Sequence, residues 1–320
     1  MAVKWYHLSG WEPKTMKRAV SISIGSSKRN KSVVVELLGE QVQLERIGTD
    51  GDMEAAAQLY REMDGQVDAF GVGGAVLGLL VEGEWHPLRS VAPMVRFVQK
   101  TPVVDGTGLK ETLERQAAAV VDAQLKPTGE QRRAFLISGV DRYGLTCGFL
   151  DGGYDSVIGD LMFVLGAPIP LHSKRSLQRV LRLLLPVVGR LPFSWLYPTG
   201  EKQEERHPRF EKYFQWAHVV AGDCHYITHN MPERMDGKVI VTNTTTPEDR
   251  AIFRAAGIRH MVTTTPSYDG RTFGTNLLEA GMLAAIDWKK PVDYAHMDGY
   301  LDLMKSLVAD LKLQPQLQEL

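Results

Sequence analysis

Between Lys17 and Asp105 the apolar residues fall at alternate positions or in short runs, which is the period of strands rather than helices. A strand is predicted over AVSISIG, then a polar loop, SSKRNKS, and VVVELL and QVQLERIG pair as a hairpin across Gly39-Glu40. DMEAAAQLYREMDG predicts a helix, with Asp52 able to cap it and Gly65 to end it. The strand VDAFGVGG, a second hairpin turning at Glu82-Gly83, a helix over SVAPMVRFVQK and a short strand, TPVVDG, follow. GLKETLERQAAAVVDAQL then reads as one long helix.

The charged stretch Lys126–Arg133, with Pro127 and Gly129, is the best boundary in the chain. Beyond it strands (AFLISG, SVIGDLMF, PFSWLYP, VVAGDC, KVIVTN, HMVTTT) alternate with helices (YGLTCGFLDGG, KRSLQRVLRLLLPVV, PRFEKYFQWA, PEDRAIFRAAG, TNLLEAGMLAAI). That rhythm marks βαβ units and a parallel sheet. The expected class is α/β with two domains, the second a Rossmann-like, mostly parallel sheet flanked by helices. Residues 1–16 form an extension, 17–130 an α/β substrate-side domain with hairpins, and 131–320 the Rossmann-like domain. An amphipathic helix around Tyr294–Leu313 is expected to pack back over the first domain.

Composition narrows the partners. The 320 residues are 44% hydrophobic and 23% charged, ordinary for a folded protein long enough for two domains. A formal net charge of -1 supplies no global field for nucleic acid or an anionic membrane, so neither is an expected partner. The longest apolar runs, Ala75–Val81 and Leu183–Val188, are far short of the roughly 20 residues a span needs. Two cysteines, Cys147 and Cys224, build no disulfide framework, and the first residues lack the apolar stretch of a signal peptide. A cytoplasmic protein is expected, and a homo-oligomer is compatible with all of this.

In an open parallel sheet ligands bind beyond the carboxyl ends of the strands, so the residues after each strand are the candidates. Strand AFLIS runs into Gly139, a helix begins near Asp141–Gly144, and Asp160 closes the next strand about 20 residues on, the spacing of a ribose-binding acid. The pattern is Gly139-x-x-x-x-Gly144 instead of G-x-G-x-x-G, and Asp141 would compete with a pyrophosphate for the same donors. A nucleotide site and an ordinary capped turn with a buried Asp160 both stand. Gly71–Gly74 follows a strand but precedes a hairpin, so no helix N-terminus would meet a phosphate there.

Thr242, Asn243 and Thr244 end another strand; Thr246, ahead of Pro247-Glu248-Asp249, reads as a helix cap. Gly106, Thr107 and Gly108, with Lys110 in the following turn, have the form of an anion nest, against the plainer reading of a solvated lysine. Arg271, Thr275 and Asn276 flank another glycine loop. Lys28, Arg29 and Lys202 lie in polar loops near strand ends, where they could meet a small anionic metabolite. Either Asp50 or Asp52 can cap the helix after Thr49, leaving the other for a different task. Cys224, His225 and His229 lie where strand runs into loop and lack an evident third ligand, so no metal is expected.

The segments SISIGSSKRNK, ERIGTDGDME, VDAFGVGG, TPVVDGTGLKETLERQ, GDLMFVLGAPIPL, LYPTGEKQEE, VTNTTTPED and VTTTPSYDGRTFGTNLLEA resemble a group of bacterial proteins commonly labelled quinate 5-dehydrogenase. The resemblance spans most of the chain from about Lys17 to Ala285. Its layout is similar to that of shikimate and quinate dehydrogenases, with a substrate domain, a nucleotide domain and a returning terminal helix. It implies an oxidoreductase using NAD or NADP on a small polyhydroxy carboxylate. Lys110 would relay the hydroxyl proton and Asp50, in Thr49-Asp50-Gly51, would partner it. Gly139, Asp141, Gly144, Asp160, Thr242, Asn243 and Thr244 would line the cofactor. The order departs from those enzymes, since Lys110 follows the T-D-G here, and their glycine-rich cofactor loop is not reproduced. The other reading is a two-domain binding protein or non-redox enzyme that holds an anionic metabolite or nucleotide between its domains.

Overall fold

The computed structural model describes residues 16–188, 207–268 and 271–320. β1 (Lys17–Ser23) is joined to β2 (Lys31–Leu37) by a 3-10 turn at Ser27–Arg29, and β2 returns as β3 (Glu40–Gly48) in the expected antiparallel hairpin. α1 (Met53–Met63) starts at Asp52, whose carboxylate accepts the Ala55 N–H at 2.9 Å. β4 (Ala69–Gly73), the hairpin β5 (Gly78–Val81) and β6 (Glu84–Pro87), and β7 (Val103–Val104) follow. The helix expected over SVAPMVRFVQK is only a 3-10 turn, Ala92–Val95. The Asp64 carboxylate takes the N–H groups of Gln99, Lys100 and Thr101 and holds that stretch out of a helix.

The long helix expected next is broken into α2 (Thr107–Thr112), a 3-10 turn at Glu114–Gln116, and α3 (Ala117–Leu125). The alternation then runs β8 (Arg133–Leu136), α4 (Tyr143–Asp151), β9 (Asp155–Ile158), α5 (Asp160–Leu165), α6 (Lys174–Val188) and α7 (Glu211–Trp216). It continues through β10 (Val219–Ala221), α8 (Cys224–Asn230), β11 (Val239–Thr242), α9 (Pro247–Ala255) and β12 (His260–Thr263). A small hairpin of β13 (Ser267–Tyr268) and β14 (Arg271–Thr272), then α10 (Thr275–Ala285), α11 (Asp298–Asp310) and β15 (Gln316–Glu319) end the chain. The strand expected at PFSWLYP lies outside the described residues, as does its polar sequel with Lys202.

The protein is α/β, with two sheets. The first has the order β2-β3-β1-β4-β7 and the second β15-β12-β11-β10-β8-β9. β3, β1, β4 and β7 run parallel, as do β9, β8, β10, β11 and β12. In both sheets the first parallel strand lies inside the second, and the chain then crosses it to continue on the other side. In open α/β sheets such a reversal marks where a ligand crevice forms beyond the strand ends; here the reversals lie between β1 and β4 in one sheet and between β8 and β10 in the other.

The two sheets are tied together by the end of the chain. α10 is apolar on nearly every side and packs on the first sheet, where Leu277, Leu278, Met282 and Leu283 join Leu37, Val42, Leu44 and Val104 in one core. Each such side chain, fully buried, contributes about 1.5–3 kcal/mol of transfer free energy. The return expected of the last helix is shared by α10 and α11, whose Tyr300, Met304, Leu307 and Val308 lie in that same core. α11 packs against α2, and β15, which alternation did not predict, pairs antiparallel with β12. Among the described residues no helix is long and apolar enough to cross a membrane.

Candidate functional site

Arg142 follows β8 at the reversal point of the second sheet and is only 3% exposed. Its guanidinium pairs with Glu114 Oε1 at 2.5 Å and Asp223 Oδ2 at 3.1 Å, and lies 4.0 Å from Asp141 Oδ2. Glu114 arrives from the 3-10 turn after α2, and Asp223 from the end of β10, where it caps α8 through the His225 N–H at 2.9 Å. Asn243, beyond β11, donates to Asp223 Oδ2 at 3.3 Å, and Thr264, beyond β12, donates to Glu114 Oε1 at 3.2 Å. Four successive strand ends thus converge on one buried ionic network.

Burial works against every charge here, so the partners decide the protonation states. Burial pushes the Asp223 carboxyl up, but the positive charges of Arg142 and His225 outweigh it and hold the group down at about 2. Burial pushes Arg142 down, and Glu114, Asp223 and Asp141 together drive it above its ordinary value. Some capacity is left over: Glu114 Oε2, Arg142 Nε, Thr245 Oγ1 and Thr263 Oγ1 are buried with no hydrogen-bond partner among the described residues.

The first sheet meets this edge through Arg29. Its guanidinium contacts His225 Nε2 and lies 3.7 Å from Asp249 Oδ2, so the loop after β1 touches α8 and α9 of the other sheet. The carboxyl edges of the two sheets face each other across this contact.

The structure redistributes the expected site residues. Lys110 is buried and its Nζ pairs with Asp141 Oδ1 at 2.8 Å. Asp50 is exposed and accepts the Ser27 N–H at 2.7 Å, with Lys28 and Arg46 as its neighbouring cations. The expected Lys110–Asp50 partnership is not formed; the acid beside Lys110 is Asp141, on the second sheet. The hydrogen bonds from Ser27 hold Asp50 below the usual carboxylate range.

Asp160 does not reach toward a ribose. Its two oxygens accept the N–H groups of Gly139 and Val140, both at 2.9 Å, because it opens α5 directly beside the β8 loop. Burial pushes this carboxyl up to about 7 against the pull of those donors. The Gly144 N–H is taken by Glu111 Oε1 at 3.1 Å, and burial likewise pushes Glu111 up to about 7. A Cβ on Gly144 would stand 2.1 Å from the Lys110 carbonyl oxygen, so this glycine lets α4 pack on the backbone of α2. The donors that a pyrophosphate needs are occupied by internal carboxylates. A dinucleotide bound along Gly139–Gly144 does not fit these residues.

The anion nest expected at Gly106, Thr107 and Gly108 is also an interior contact. A Cβ on Gly106 would meet Thr275 Oγ1 at 2.5 Å, Asp105 accepts the Thr107 N–H at 3.0 Å, and Glu279 accepts the Leu109 N–H at 2.9 Å. Thr275 is buried at the start of α10, and Asn276 donates to Ser21 Oγ at 2.6 Å. The two loops, read separately from the sequence, come together here, and they seal α10 against α2 and the first sheet. Thr242 donates to Asn243 Oδ1 at 3.4 Å beside the ionic network, while Thr244 is half-buried near Gly274. The segment GDCHYITHN, expected as loop, is mostly the helix α8; His225 reaches Arg29, and the His229 ring packs on His207 at 5.6 Å. Thr246 caps α9 as expected, in a reciprocal pair with Asp249. The side chain of Arg271 lies outside the described residues.

Sequence reasoning missed Arg142, Glu114, Glu111 and Arg46. Glu111 and Glu114 sit in a helix-forming stretch where charges are ordinarily solvated; Glu111 lies within α2 and meets the Gly144 N–H of α4, and Glu114 lies in the 3-10 turn that breaks the helix. Arg142 ends the polar loop between β8 and α4, which was the available signal.

Residues 108–320 match the family described as a domain of unknown function, DUF8754. The chain belongs to that family. Residues 18–105 match a second description, DUF8753, also a domain of unknown function, so the DUF8754 match begins within the Gly106–Gly108 loop. No curated protein matches the chain. Among solved structures, the DUF8754 chain is similar to GanP, a glucose-galactose binding protein from Geobacillus stearothermophilus, at 10% identity and a TM-score of 0.35, covering 96% of this chain and 98% of that one. A solute-binding protein from Burkholderia graminis in complex with D-arabinose aligns at 11% identity and a TM-score of 0.34, over 97% and 96% of the two chains. A putative malic enzyme aligns at 13% identity and a TM-score of 0.35, over 91% and 77%.

Proposed function

We propose that this protein binds a small anionic, hydroxyl-bearing metabolite in the crevice where the carboxyl edges of its two sheets face each other. The observation that carries this reading is the Arg29 contact with His225 and Asp249, which brings the reversal points of both sheets to one place. On the second-sheet side Asp223, whose side chain is 26% exposed, supplies an acceptor for a ligand hydroxyl. Thermal-shift screening tests it, with quinate, shikimate, phosphorylated sugars, NAD and NADP as probes. Stabilisation by at least one anionic metabolite is expected, since a ligand at a hundred times its Kd adds about 2.7 kcal/mol. A flat response to the whole panel would remove the reading.

A second reading, an NAD(P)-dependent oxidoreductase on a quinate-like substrate, is favoured by one contact. Lys110 and Asp141, 2.8 Å apart, form the kind of lysine–aspartate pair that can take a proton from a substrate hydroxyl. It requires a dinucleotide held by groups other than Gly139, Val140 and Gly144. Growth of absorbance at 340 nm with quinate or shikimate and either cofactor would support it, and its absence at saturating substrate would remove it.

A further inference from the structure

We propose that the guanidinium groups of Arg46 and Arg29 form the seat for the ligand's oxyanion, a carboxylate or phosphate held on the first-sheet side of the crevice. The inference rests on the crevice reading above and assigns the charge of its ligand to two residues.

Arg46 lies near the end of β3, half-buried against the loop that follows β1. Its guanidinium donates to Ser26 O at 3.0 Å, Ser23 Oγ at 2.9 Å and Asn30 Oδ1 at 3.5 Å. All three acceptors are neutral. Several other arginines hold carboxylates: Arg18 with Glu45, Arg132 with Asp122, Arg115 with Asp151, and Arg142 with Glu114. The adjacent acid cannot serve, because alternation along β3 sends Glu45 to the opposite face, where Arg18 takes it at 2.7 Å. Asp50 is the acid whose charge reaches Arg46, and it is exposed and engaged with the Ser27 N–H.

Arg29 adds a second positive charge beside the first. Burial, with the charge of Arg29 next, pushes Arg46 down to about 10. On its far side Arg29 meets a histidine ring and, at 3.7 Å, an Asp249 oxygen that already accepts the Thr246 N–H at 2.8 Å and hydroxyl at 3.0 Å. Two guanidinium groups therefore share little carboxylate. Withdrawing such charges from water is unfavourable unless an anion completes them, and planar forks suit the two oxygens of a carboxylate or phosphate. The pair also lies where the first sheet touches the second, so an anion there stands beside the ionic network of Arg142.

The test is thermal unfolding of the full chain in inorganic phosphate and in quinate, each against chloride at matched ionic strength. The proteins compared are the wild type, Arg46→Gln, Arg29→Gln and, as an exposed control on α6, Arg175→Gln. Phosphate, quinate or both should raise the wild-type Tm; phosphate alone identifies a phosphorylated ligand and quinate alone a carboxylate. The apparent affinity should fall roughly ten- to a hundredfold in Arg46→Gln and Arg29→Gln and stay unchanged in Arg175→Gln. Without anion, Arg46→Gln should melt at or above the wild-type temperature, which a purely structural arginine would not do. Undiminished anion affinity in Arg46→Gln, or a wild type that neither anion stabilises, overturns the assignment. A metabolite from the wider panel that binds the wild type and Arg46→Gln equally leaves the crevice reading standing and removes only this one.

Discussion

Replacing Arg142 with Met tests the network on which the crevice depends. Glu114 is 0% exposed, and without Arg142 its carboxylate would keep one partner, the Thr264 hydroxyl at 3.2 Å, while Oε2 already has none. Removing one member of a buried ion pair costs about 3–5 kcal/mol, because the survivor is left charged in a medium that solvates it poorly. The Asp223 share is smaller, since its side chain is 26% exposed and retains the His225 N–H and the Asn243 amide. The expected loss is therefore about 3–5 kcal/mol, or on the order of 10 °C in Tm for a chain of this size. Urea unfolding measures it, and a cycle with Glu114→Leu separates the pair from the background. The double variant should recover at least about 1 kcal/mol relative to the sum of the singles, because it leaves no stranded charge at Glu114. A loss below about 1 kcal/mol for Arg142→Met, or strict additivity in the cycle, would refute the view that these two side chains compensate each other.

Gly144→Ala should lose more than about 2 kcal/mol or fail to fold, since its Cβ would meet backbone atoms of α2 that cannot turn aside; circular dichroism melting checks it. Asp160→Asn should open the β8 loop, because an amide can accept only one of the Gly139 and Val140 N–H groups it faces; faster hydrogen exchange confined to those two amides is the expected readout. Stability should also decline with rising pH. Burial lifts Glu279 to about 8 despite the Leu109 N–H and Tyr300 O–H bonds. Its folded value lies above the unfolded one of about 4.3, so its contribution is complete below about pH 4 and is lost as pH climbs through 8. Glu279→Gln should flatten the fall in urea midpoint between pH 6 and 9, and an unchanged slope would count against it. Asp223 acts in the opposite direction: its folded value of about 2 lies below the unfolded one, so its stabilisation is complete above about pH 4 and is lost as pH falls through 2.

Periodicity along the chain was enough for the α/β class, the β2–β3 hairpin, the alternation from β8 to β12 and the caps at Asp52 and Thr246, because each depends on residues within a few positions of one another. What the sequence could not convey is which donors meet which acceptors once the edges close. Asp160 has the spacing of a ribose ligand, yet folding lays it on the Gly139 and Val140 amides. Lys110 resembles half of a pair with Asp50, yet its ion pair is with Asp141 from the other sheet. Gly106 and Gly144 carry the composition of phosphate loops, and in the fold they are where backbone meets backbone. Local pattern determines secondary structure because its forces act over one or two turns. Pairing among buried charges depends on contacts between segments far apart in the chain, such as Arg142 with Asp223 and Glu114 with Thr264, and only tertiary packing brings those into contact.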